Sequence, residues 1–157
     1  MRRTGAVIER RDIMSCNCKN AYQKSAQAAY NNAAQAYVAD GTNVGILGNL
    51  ITDTGVSVTT QTGGFRINNG GLFRISYDVT STPAAAGAQI LQLYNGSTAM
   101  PCAIATDAVA ADGIITQHIE TVIRLATCCA IQPTISARIS GVAGTINHVC
   151  ASVVKLA

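Results

Sequence analysis

The stretch 70-GGLFRISYDVTSTPAAAG-87 carries the most regular alternation in the chain. Phe73, Ile75, Tyr77 and Val79 fall on one side of an extended backbone and Arg74, Ser76 and Asp78 on the other, because successive Cβ atoms of a strand point to opposite faces. The segment therefore predicts a strand with one face in a core. Gly70-Gly71 lets the chain turn into it, and Thr82-Pro83 with the following alanines carries it out again.

The same texture extends in both directions. Downstream comes QILQLYNGS, where Asn95-Gly96 is a hairpin-type turn signal. The run from Met100 to Thr106 follows, with Pro101 favouring a strand edge or bulge. In IITQHIETVIRL, Ile115, Ile119 and Ile123 share a face with Gln117 and Thr121, opposite His118, Glu120 and Arg124. A 3.6-residue period also fits Ile115, Ile119, Val122 and Ile123; a strand is preferred because a glycine opens the run and β-branched residues dominate it. TISARISGV turns Ile135, Ala137 and Ile139 inward against Thr134, Ser136 and Arg138, and INHVCASVVKL closes the set. Upstream lie NVGIL, GVSVTT and FRI. About nine candidate strands punctuated by Gly, Pro, Asn and Asp predict an antiparallel sandwich over residues 42–157. The alternating βαβ pattern of a parallel nucleotide-binding sheet is absent.

Two further segments precede this β-domain. Residues 19–41 contain KNAYQKSAQAAYNNAAQAYVA, free of Gly and Pro and rich in alanine, which predicts an α-helix stopped by Asp40-Gly41. Tyr22, Ala26, Ala29, Ala33 and Ala36 are spaced 4, 3, 4 and 3, the interval of a coiled-coil seam. An alanine seam buries little area, so the helix is expected to form by bundling with copies of itself or by lying on the β-domain. Residues 1–18 have no periodicity and are expected to be a flexible basic arm that orders on meeting a partner. Residues 1–24 hold six basic side chains against two acidic ones, and the rest of the chain is close to neutral.

Composition narrows the function. Apolar residues make up 48% of the chain and charged residues only 12%, with no Trp, so much of the surface lacks charge and contact with other subunits is expected. No apolar run approaches the roughly 20 residues of a membrane-spanning helix, and the first residues lack a signal-peptide core, so a soluble chain with reduced thiols is expected. Of six cysteines, Cys16 and Cys18 form C-x-C and Cys128-Cys129 an adjacent pair, neither matching the duplicated knuckles of a zinc site. Cys102, Cys129 and Cys150 read as small core-filling residues.

Candidate chemistry is sparse. His118 and His148 are the only histidines, and His118 lies two residues before Glu120 on one strand face, where the pair would be within reach. Neither histidine sits in a motif that marks a catalytic base, and the glycine pairs at 63–64 and 70–71 flank strands instead of opening a phosphate-binding helix. A cupin-type metal site needs clustered histidines and a carboxylate, which two distant histidines do not supply. Arg2, Arg3, Arg10 and Arg11 are the candidate attachment residues. They lack the interleaved aromatics that stack nucleobases, so an acidic protein surface suits them better than nucleic acid.

The succession GGFRINNGGLFRISYDVTSTPAAAG, ILQLYNGS, ATCCAIQPTISARISGV and SVVKL resembles the small jelly-roll domains of the tumour necrosis factor and complement type that bacteriophages and spore surfaces carry at the ends of fibres or stalks. The resemblance covers roughly residues 60–157 and leaves out the arm and the helix; no Gly-X-Y collagen stalk accompanies it. It implies an eight-stranded jelly roll whose inner sheet packs around the three-fold axis of a homotrimer. Together with the arm, it points to a non-enzymatic, cofactor-free virion component: a capsid decoration or head fibre, assembled in the host cytoplasm and held on the virion surface. Its partner would be the major capsid protein or another shell protein. The alternative is a receptor- or glycan-binding tip of a tail fibre or spore appendage.

Overall fold

A computed structural model describes residues 24–127 and 132–157. Twelve strands, all antiparallel in their pairings, form two sheets, and among the described residues there is no helix. The first sheet runs β10 (Ile115–Leu125), β7 (Gly71–Pro83), β12 (Gly144–Lys155), β1 (Ala26–Asn31), β4 (Asn49–Thr54), with β2 (Gln35–Tyr37) continuing beside β12 where β1 ends. The second runs β5 (Val58–Gln61), β6 (Gly64–Ile67), β11 (Thr134–Ser140), β8 (Gly87–Asn95), β9 (Thr98–Val109), with β3 (Thr42–Asn43) beside β11.

Strand β7 occupies the place its alternation demands. It pairs with β10 on one side and β12 on the other along nearly its whole length, and Phe73, Ile75, Tyr77 and Val79 are fully buried. These side chains meet Phe65, Ile67, Leu91, Leu93, Ile135 and Ile139 of the second sheet. Across the gap Phe65 and Tyr77 pack edge to face, ring centroids 6.0 Å apart. Each such side chain contributes about 1.5–3 kcal/mol on leaving water, which is why the alternation binds the two sheets so firmly. Asn95 and Thr98 close the β8–β9 hairpin as the Asn-Gly signal predicts, with Gly96 at φ 61°. Pro101 lies in edge strand β9 within the bulge that separates the Gln92–Ile104 and Tyr94–Ala99 pairs.

The expected helix over residues 19–41 is not formed. Its residues 24–39 contain strands β1 and β2, and its residues 19–23 lie outside the described part. Burial there has period 2: Ser25, Gln27 and Ala29 are buried while Ala26 and Ala28 face outward. Alanine favours a helix by less than about 1 kcal/mol per residue, and pairing with β12 and β4 outweighs that preference. Asn31 breaks the segment locally. Its side-chain oxygen accepts the Ala33 N–H at 2.9 Å, and its amide donates to the Gly45 carbonyl at 3.1 Å, so the backbone turns between β1 and β2.

The last strand changes phase along its length. Between Ile146 and His148 the register of β12 shifts against β7, leaving Asn147 as an extra residue. Ile146 therefore joins Val149, Ala151 and Val153 in the core.

A candidate assembly face on the outer side of one sheet

The outer side of the β10–β7–β12–β1 sheet carries two ion pairs over a floor of small side chains. Registers place His118, Asp78, Cys150 and Tyr30 in one row across the four strands. Glu120, Ser76, Ser152 and Ala28 form the next, and Val122, Arg74, Val154 and Ala26 the third. Toward β10 the rows are tied by two ion pairs: Arg74 Nη2 to Glu120 Oε2 at 2.6 Å and His118 Nδ1 to Asp78 Oδ1 at 2.8 Å. The Ser76 and Ser152 hydroxyls bond to each other at 2.8 Å, as do those of Thr80 and Thr116. On the far side, His148 Nδ1 meets Asn32 Oδ1 at 2.5 Å and its ring leans on Tyr30, centroids 6.5 Å apart.

Arg74 holds the Glu120 carboxyl below its ordinary range through a hydrogen bond and its charge, and Glu120 raises the guanidinium in turn. His118 and Glu120, within reach of each other on β10, each bond instead to a side chain of the neighbouring strand β7. Cys150 stands beside Asp78 on the side away from His118. Burial first, and then the Asp78 charge, pushes its thiol up, the opposite of what a nucleophilic cysteine needs. Nor does Cys102 fill the core as expected; it is exposed on the bulged edge strand β9, while Cys128 and Cys129 lie outside the described residues.

The interior holds a polar cluster that bridges the sheets. Tyr37 donates to Gln89 Oε1 at 2.6 Å, Gln89 Nε2 donates to Ser81 and to Gln117 Oε1 at 2.9 Å each, and Gln117 Nε2 reaches Asp107 at 2.8 Å. Every buried side-chain N or O among the described residues has a partner. The cluster fixes one packing of the sheets and presents no nucleophile to solvent. Among the described residues no group of three or more His, Cys, Asp and Glu side chains is placed to hold a metal.

Two clefts open where the sandwich's edges part. One, of about 500 Å³, lies between β9 and β10 and is lined by Met100, Pro101, Cys102, Val122 and Ile123 among others. The second, of about 490 Å³, lies between β4 and β5.

The residues singled out from the sequence do not converge. Arg2, Arg3, Arg10, Arg11 and Tyr22 lie outside the described part. Ala26 faces outward on the assembly face, Ala29 is in the core, Ala33 is exposed in the β1–β2 connection, and Ala36 is exposed on β2. The four described alanines share no seam. The small outward residues Ala28 and Ser152 are not legible as a face in the sequence, because a strand's solvent side carries no signal of its own without its neighbours.

No protein-family model matches the sequence, and no curated protein is similar to it at a significant level. Solved structures match it along most of its length. Murine APRIL, solved at pH 5.0, superposes with a TM-score of 0.64 at 14% identity over 85% of this chain and 100% of that one. The PRD1 vertex protein P5 gives a TM-score of 0.64 at 12% identity over 85% and 97%. The fold is a jelly roll of the tumour necrosis factor and complement type. The globular domain of zebrafish complement 1qA gives a TM-score of 0.50 at 11% identity over 83% and 94%. The likeness covers 85% of the chain, a larger share than the residues 60–157 suggested by sequence resemblance.

Proposed function

We propose that the chain is a non-enzymatic virion structural protein, a trimeric capsid decoration or head fibre held on the shell by its N-terminal arm. The observation that carries this reading is the nearly full-length similarity to a vertex protein, the PRD1 protein P5, joined to a basic segment preceding an otherwise near-neutral jelly roll. The face described above suits contact between copies. Its centre is made of Ala26, Ala28, Ser76 and Ser152, so another subunit's side chains approach the sheet closely, and Val154 and Val122 lie 39% and 54% exposed beside it. Three copies would present three arms, and linked arms raise the effective concentration of each weak, charge-driven contact with the shell.

Deletion of residues 1–18 is expected to abolish binding to particles in a sedimentation assay while leaving the oligomer intact. Decoration by the truncated protein would overturn the assignment of Arg2, Arg3, Arg10 and Arg11 as attachment residues.

The glycan-binding alternative gains one observation, a half-buried pairing of Arg138 with the Tyr94 ring at 4.6 Å on the outer side of the second sheet. That guanidinium already covers a face of the ring on which a sugar would stack. Specific binding on a glycan array would nevertheless raise this reading above the first.

A further inference from the structure

The side of the sandwich closed by β4 and β5 is unusually apolar for a sheet edge. Leu50 and Ile51 of β4 and Val56 of the connection are 49%, 57% and 65% exposed. Edge strands ordinarily carry lysine, proline or inward charge against unwanted association, whereas NLITDT has no lysine or proline. Leu50 and Val56 both line the cleft of about 490 Å³, whose single charged lining residue is Asp53. A surface this apolar beside a groove marks a docking position.

The position of the chain's entry says what covers it. Ser25 Oγ donates to the Thr54 carbonyl at 3.1 Å, and a Cβ on Gly55 would lie 2.3 Å from the Lys24 carbonyl. Lys24, the first described residue, thus lies at the end of β4, beside the cleft. Within residues 1–23 Gly5-Ala6-Val7-Ile8 is the longest apolar run, flanked by Arg2 and Arg3 before it and Arg10 and Arg11 after it. The 16 residues from Glu9 to Lys24 span up to about 50 Å when extended, so this run reaches the adjacent cleft with ample slack. Closing a loop of that length adds only a slowly growing entropic cost.

We propose that Gly5–Ile8 of the same chain docks in the β4–β5 cleft, covering Leu50 and Val56 with Val7 and Ile8, and bringing a flanking arginine toward Asp53. Docking there would set the point from which the basic residues leave the domain. It does not depend on the shell partner proposed above.

Hydrogen exchange read by mass spectrometry on the full-length free protein tests this. In the wild type, residues 5–8 are expected to be protected along with Leu50–Thr60. Val7→Asp and, separately, Val56→Asp should each raise exchange in both segments by about tenfold, the scale set by exposing one branched apolar side chain. Val7 belongs to the segment proposed to dock and Val56 is mostly exposed, so Val56→Asp leaves the core untouched. Exchange of residues 5–8 at the rate of an unstructured peptide in the wild type overturns the proposal. So does protection that survives Val56→Asp. Protection that falls on dilution would place the segment in the cleft of a second copy and overturn docking within one chain. Because no particle is involved, these outcomes are separate from success or failure of shell binding.

Discussion

Gln89 shows how a single polar side chain fixes the sandwich. It is fully buried on β8 of the second sheet, yet its amide engages Tyr37, Ser81 and Gln117, so three strands of the first sheet and one of the second meet at one group. Gln89→Leu keeps the volume and strands those partners without hydrogen bonds; we expect a loss of about 3 kcal/mol in urea denaturation, the sum of the desolvation costs left behind. A loss below about 1 kcal/mol would mean that water replaces the amide. On the outer face, Glu120 gives a pH signature. Arg74 depresses its folded-state pKa, so the pair's small contribution is present above the unfolded carboxylate value of about 4.3 and is lost as pH falls through the lower folded value. Its carboxyl titration followed by NMR should have a midpoint below that of a free glutamate, and Arg74→Gln should move the midpoint up. Both side chains are well exposed, so the shift in stability will be slight even where the shift in titration is clear.

At the scale of elements, Asn31 separates strand from helix by the sign of one mutation. In an exposed helix, Asn31→Ala would stabilise by roughly 0.5 kcal/mol. In the observed turn it removes the bonds to Ala33 N–H and the Gly45 carbonyl, and we expect it to destabilise by about 1 kcal/mol in chemical denaturation. The same residue explains where sequence reading succeeded and failed. Strands β7, β10 and β11 were legible because one face of each is packed and the other solvated, which writes a period of 2 into the residue types. Strand β1 was not: four of its six residues are alanine or glutamine, whose intrinsic preference is helical, and its pairing with β12 is set by residues more than a hundred positions away. The adjacent Asn31-Asn32 was the local warning. Strand β4 is exposed on nearly every residue and so has no alternation to read, and with it the β4–β5 cleft stayed hidden. The single extra residue at Asn147 could not be seen either, since a bulge shifts phase without changing composition. Of the candidate face, the ion-paired side chains on β7 and β10 were correctly turned outward, but their partners emerged only from cross-strand register.

For the whole molecule the decisive quantity is mass in solution. A trimer would measure three times the 16.2 kDa of the chain by light scattering. If the β10–β7–β12–β1 face forms its contacts, a long cation at the centre of that face must be excluded. Ser152 faces outward between Ser76 and Ala28, so Ser152→Arg leaves the core untouched and lets the new side chain reach water in a lone subunit. In an assembled trimer the same guanidinium would be buried against small side chains with no acceptor matched to it, a penalty of several kcal/mol at each of three contacts. We therefore expect Ser152→Arg to be a folded monomer, with an unchanged β-type circular dichroism spectrum and one third of the wild-type mass. Arg138→Glu, on the opposite sheet, should stay trimeric and serves as the matched control. A Ser152→Arg protein that remains trimeric would move the contacts to another surface, with the β9–β10 cleft next in line because Met100, Val122 and Ile123 line it. A monomeric wild type would remove the multivalent attachment mechanism, since one arm alone lacks the gain in effective concentration on which that mechanism depends.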